Sequence, residues 1–247
     1  SVCLLLLTAT LAGAGFAEPN STAHPRRPIP LIFDTDIGND IDDALALAVI
    51  HAMMSRGECK LLAVTVTKDE PHSAAFVDAV NTFYGRSNTP IGVVHRGPTP
   101  EPSKYTVLAD QKDGDHFRYP HRLLSGADAP DAVAVLRKAL ASADDESVVI
   151  VQVGAFTNLA RLLKSEKDEY SNLPGIELVK KKVRLLSAMA GSFAVKGGLN
   201  QPEDNVKIDV PAAQSLVADW PTPIVFSGFE IGIAVPYPAV SIEEDFA

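Results

Sequence analysis

The sequence predicts an α/β protein built on an open, mostly parallel, twisted sheet with helices on both faces. Three observations lead there. Short, nearly continuous apolar runs rich in β-branched residues recur along the chain, as expected of strands buried on both faces. Amphipathic stretches of helical length separate them. Joined by right-handed crossovers, such units place a ligand beyond the carboxyl ends of the strands.

The elements follow in order. Leu31–Thr35 (LIFDT) is a short apolar strand. Asp42–Met54 (DDALALAVIHAMM) is a helix that stops near Gly57. Lys60–Thr67 (KLLAVTVT) is a β-branched strand, and Ser73–Tyr84 is a helix with Gly85 after it. Ile91–His95 (IGVVH) is a strand. Gly97–Leu123 is long and polar, and reads as a loop able to cover a site. Asp128–Ala143 is an amphipathic helix, Ser147–Val153 (SVVIVQV) a buried strand and Thr157–Lys164 (TNLARLLK) a helix. Val183–Met189 and Pro223–Ser227 are further strands, with a helix over Pro211–Trp220 between them.

The ends and the composition narrow the function. Ser1–Ala17 (SVCLLLLTATLAGAGFA) has the apolar length and small-residue ending of a signal peptide and is short for a membrane span. It lacks an initiator Met and a basic start, so the chain is expected to be truncated at its N-terminus. We therefore expect export to the periplasm or the extracellular space, with no stable membrane insertion after processing. Residues 18–28 form a polar, Pro-containing lead-in, and residues 29–247 one folded domain. With 46% hydrophobic and 21% charged residues over 247 positions, the core is of ordinary size. A formal net charge of -9 disfavours nucleic acid as a partner and leaves small neutral ligands open. A homo-oligomer stands as an open expectation, with no sequence feature fixing the oligomeric state. Of the two cysteines, Cys3 lies in the leader and Cys59 reads as a buried thiol, so no disulfide framework is expected.

The strongest chemical signal is Asp34-Thr-Asp-Ile-Gly-Asn-Asp-Ile-Asp-Asp43, with five aspartates in ten residues where a strand gives way to a helix. Asp34 and Asp36 share a face of an extended strand. Gly38 allows a sharp turn, and Asp42 and Asp43 begin a helix whose amides and dipole favour anions. The turn can return Asp43 towards Asp36. Converging carboxylates repel one another unless a cation sits among them, and an all-oxygen set suits calcium or magnesium. Two other readings stand beside this one: Asp42 as a plain helix cap among solvated turn residues, and a DxD phosphotransferase motif.

The decapeptide resembles the N-terminal signature DTDxGxDD of the inosine-uridine type nucleoside hydrolases, with two extra residues in the turn. Val153-Gly-Ala-Phe-Thr-Asn-Leu-Ala160 resembles that family's TGPLTNLA. Met189-Ala-Gly-Ser-Phe193 followed by Asn200-Gln-Pro-Glu-Asp-Asn-Val-Lys-Ile-Asp209 resembles its MGGxF…N…AEFNxxxDPEAA. The likeness runs from about Pro30 to Val235 and implies hydrolysis of the N-glycosidic bond of ribonucleosides by a calcium-bound water. By resemblance Asp36, Asp43 and the Val153 carbonyl would hold Ca2+. Asp36 would also be the general base, and Asp42, Asn200, Glu203 and Asn205 would hold ribose hydroxyls.

Departures from the pattern carry their own expectations. Glu70 stands where the family has an Asn near the ribose. The family's late His-Asp pair, a leaving-group contact and further calcium ligand, has no counterpart, because no His follows His121. A chain truncated at the C-terminus, or an incomplete member with weak turnover, is therefore expected. The alternative function is a non-catalytic, calcium-dependent sugar- or nucleoside-binding protein. His116 and His121 lie in the long loop, and a solvated role is the plainer reading of both. No G-x-S-x-G elbow occurs, and no G-x-G-x-x-G follows the first strand, which argues against a dinucleotide-type fold.

Overall fold

A computed structural model describes residues 27–194 and 202–245. The leader 1–17, most of the lead-in and Asn200 fall outside the described residues. The main elements are β1 (Ile29–Thr35), α1 (Asp42–Ser55), β2 (Cys59–Val66), α2 (Ser73–Phe83) and β3 (Ile91–Val93), then a small hairpin, β4 (Lys112–Asp113) and β5 (His116–Phe117). They continue through α3 (Ala132–Ala141), β6 (Val148–Gln152), α4 (Thr157–Leu163), α5 (Gly175–Lys182) and β7 (Val183–Met189). The last are α6 (Asp204–Ile208), α7 (Val210–Asp219), β8 (Ile224–Ser227), α8 (Phe229–Ile233) and α9 (Ala239–Asp245).

Six strands form one parallel sheet in the order β3-β2-β1-β6-β7-β8. Alternate residues of β1 feed two cores. Leu31 and Phe33 pack with Leu47 of α1 and Val77 of α2. Ile32 packs with Leu136 of α3, Leu159 of α4, Leu178 of α5 and Leu216 of α7. Helices therefore lie on both faces, and the sequence-derived architecture holds. The strand order is the doubly wound one of dinucleotide folds, contrary to the inference from the missing glycines. Crossover handedness and sheet burial fix the topology; the absent fingerprint removes only a phosphate cradle.

Several boundaries differ from expectation for local reasons. The helix read from Asp128 begins at Ala132, because Pro130 forces Ala129 into an extended conformation and Asp131 caps the helix by accepting from the Val133 amide at 2.8 Å. Helix α5 was missed: its end runs directly into β7 with no Gly, Pro or Asn between them. The loop 97–123 holds a 3-10 turn, Thr106–Asp110, besides the hairpin. Cys59 is buried and unpaired, as read. Among the described residues no helix is long and apolar enough to cross a membrane.

Candidate active site

From β1 the chain winds to β2 and β3 on one side, and β6 begins the other half of the sheet. The carboxyl ends of β1 and β6 thus flank the point where the winding reverses, where a crevice forms in such sheets. The acidic turn leaves β1 there. Asp34 is still in the strand and fully buried. Its Oδ1 accepts from Thr65 Oγ1 at 2.6 Å and from Asn158 Nδ2 at 2.9 Å, while Oδ2 has no partner among the described residues. Burial pushes its carboxyl up to about 7 against these two bonds, with a smaller push from the charge of Asp36.

The turn is held open by contacts from far along the chain. Gly38 has φ +132° and faces the Ser103 side chain so closely that a Cβ would collide with it. The Tyr105 hydroxyl accepts from the Gly38 amide at 3.1 Å and donates to the Asp40 carbonyl at 2.9 Å. The Lys104 amide donates to the Gly38 carbonyl at 2.7 Å. The long loop therefore does seat on the acidic turn. Ile41 is the residue before α1, so Asp42 and Asp43 lie in its first turn, neither acting as its cap.

Here Asp36 and Asp43 meet. Their carboxyl groups lie close enough to act on each other, Asp43 buried and Asp36 half-buried. Burial raises both carboxyls above the ordinary range; for Asp43 the charges of Asp36 and Asp42 add to the rise. Asp42 is exposed at the lip, where its Oδ1 accepts from the Asp43 amide at 3.1 Å.

The β6 end closes the other side. The Val153 amide donates to the Asp34 carbonyl at 2.8 Å. A Cβ on Gly154 would lie 2.7 Å from the Asp36 nitrogen and 2.6 Å from Thr67 Oγ1, so only glycine lets the β6 turn approach so closely. The Val153 carbonyl accepts from Asn205 Nδ2 at 3.1 Å, and the same amide group reaches the Met189 carbonyl at 3.1 Å. Glu203 caps α6, its carboxylate accepting from the amides of Asn205 (2.8 Å), Gly191 (3.0 Å) and Val206 (3.3 Å). Asn205 and Glu203 thus hold the ends of β6 and β7 together.

Of the residues singled out from sequence, Asp36, Asp43 and Val153 flank the crevice, Asp42 lies at its lip and Asn205 and Glu203 behind Val153. Among the described residues no three His, Cys, Asp or Glu side chains are grouped closely enough to hold an ion on their own. Sequence reasoning missed Lys68, Tyr105 and Asn158. Lys68 is buried, and its ammonium donates to Asn39 Oδ1 at 2.5 Å. The readable signal was one charge at the end of an apolar strand.

A sequence model of the inosine-uridine preferring nucleoside hydrolases matches residues 31–242. The pyrimidine-specific ribonucleoside hydrolase RihA of Shewanella woodyi is 27% identical over 222 residues, covering 88% of this chain and 64% of that protein. This chain thus spans less than two thirds of that curated relative. Among solved structures, the effector protein XOO4466 is 18% identical with a TM-score of 0.66, covering 89% of this chain and 61% of that one. The plant nucleoside hydrolase PpNRh1 is 24% identical with a TM-score of 0.60, covering 87% and 64%. At these identities the two structures bear on the fold alone.

Proposed function

The chain belongs to the inosine-uridine preferring nucleoside hydrolase family, and from that premise we propose that it hydrolyses the N-glycosidic bond of ribonucleosides. The observation that carries this reading is the adjacent pair Asp36 and Asp43, half-buried and buried, at the reversal point of the sheet.

The donor set fits a hard divalent cation, calcium in our reading. Two carboxylates side by side, one buried and one half-buried, are each driven towards the protonated form, a cost that a cation between them removes. Asp36, Asp43 and the Val153 carbonyl would hold it, all through oxygen. When bound, it would supply the positive charge that keeps a water and the ribose diol oxygens in place.

The protein's own groups do the rest. Asp36 takes a proton from the attacking water, whose oxygen forms a bond to C1′ while the C1′–N bond breaks and its electron pair leaves with the base. Asp42 at the lip, with Asn200, Glu203 and Asn205, is assigned to the ribose hydroxyls, which hold the sugar for attack. The name of the Shewanella relative puts uridine or cytidine first among substrates to try.

The test is release of reducing sugar from uridine and inosine. Asp36→Asn should lower turnover by about 10²–10⁴-fold. Retained turnover would refute the assignment of the base. Nucleoside binding without any sugar release would instead support a binding protein.

A further inference from the structure

Lys68 has no role in the reading above. Strand β2, largely apolar after Lys60, ends at Val66, which lies opposite Thr35 at the end of β1. The Thr67 amide donates to the Thr35 carbonyl at 2.8 Å, so the next residue, Lys68, emerges beside the acidic turn. It is 2% exposed. Its ammonium donates to Asn39 Oδ1 at 2.5 Å, and Asn39 lies in the turn between Asp36 and Asp43. A neutral amide is a weak partner for a charge removed from water. The acidic turn that Lys68 grips is thus the nearest source of the negative charge a buried ammonium needs.

We propose that the Lys68 ammonium is the resident counter-charge of the Asp36–Asp43 pair and limits how tightly a divalent cation binds there. It holds the acidic turn together without an ion, and it repels an ion that enters. Repulsion between a fixed ammonium and a divalent cation is strong in a partly buried site, where water screens little. Lys68 is then a positioning residue. At 2% exposed it is closed off from any substrate. This rests on reading Asp36 and Asp43 as the cation site.

The experiment is calorimetric titration of the full chain with calcium chloride, for wild type, Lys68→Met, Lys68→Arg and Asp43→Asn, together with melting in chelator. Lys68→Met should bind calcium at least about tenfold more tightly than wild type. It should also melt lower than wild type in chelator and recover when calcium is added. Lys68→Arg, which keeps the charge, should retain wild-type affinity. A residue that only supported the fold would weaken binding when removed, so a gain separates the two roles. Should Lys68→Met not fold, Lys68→Gln carries the same comparison. Equal or weaker calcium binding by the neutral variant, with binding lost in Asp43→Asn, would overturn the role of Lys68 and leave the cation site standing. Binding absent from every protein, or unchanged by Asp43→Asn, would overturn both.

Discussion

Glu70 takes the place where the family resemblance called for an Asn at the ribose, and its carboxylate is turned to architecture. It accepts from the hydroxyls of Ser73 and Thr106 and from the His72 amide, the last at 3.0 Å. Burial alone would push this carboxyl up, yet those bonds outweigh burial and hold it below its ordinary value of 4.5. A folded-state value below the unfolded one means that Glu70 stabilises fully above pH 4.5, and that this contribution is lost as pH falls through the folded-state value. Glu70→Gln should therefore cost about 1–3 kcal/mol at neutral pH and flatten the loss of stability in acid. Urea unfolding at neutral and acidic pH checks this, and parallel losses in variant and wild type would count against it. The aspartates of the turn were legible because five carboxylates crowd one strand end. Lys68 and Tyr105 were not, because each acts through contacts with residues distant in sequence; Glu70 was legible as a departure, but not its bond to Thr106 in the long loop.

At the level of elements, alternating apolar runs were enough to place the six strands and most of the helices. What they could not convey is how closely two elements approach. Around β6 the sequence was readable as a strand, Ser147–Val153, followed by a helix, Thr157–Lys164. In the structure Phe156 precedes α4, and Asn158 points inward to Asp34. Gly154 matters more than either. The backbone nitrogen of Asp36 would sit 2.7 Å from an added Cβ, and a backbone atom cannot step aside as a flexible side chain can. Gly154→Ala should thus force β6 away from β1, costing about 1–3 kcal/mol and loosening the Val153 side of the crevice. Chemical denaturation gives the first effect, and a raised KM for uridine the second. A variant as stable as wild type would mean that the turn has room to move.

Across the whole molecule the sheet is unevenly covered. Around β1 and β2 both faces are packed, and Ile32, Phe33, Ala63 and Val64 are fully buried. At the β8 edge the packing thins: Val225 is 52% exposed, and Phe226, Ile231, Ile233, Val240 and Ile242 are also open to solvent. Among the described residues β8 is the last strand of the sheet, and an edge strand flanked by apolar side chains is a template for association. It carries no charge of its own to prevent this, since β8 reads Ile-Val-Phe-Ser. The 247-residue chain studied by itself should then self-associate as its concentration rises, through this edge rather than through the crevice. Val225→Lys places a charge on the strand and should shift sedimentation towards the monomer. The crevice lies at the β1–β6 junction, with β7 between it and β8, so calcium affinity should not change. Self-association that survives Val225→Lys would place the contact elsewhere, and a monomer at every concentration would mean that α8 and α9 shield the edge well enough alone.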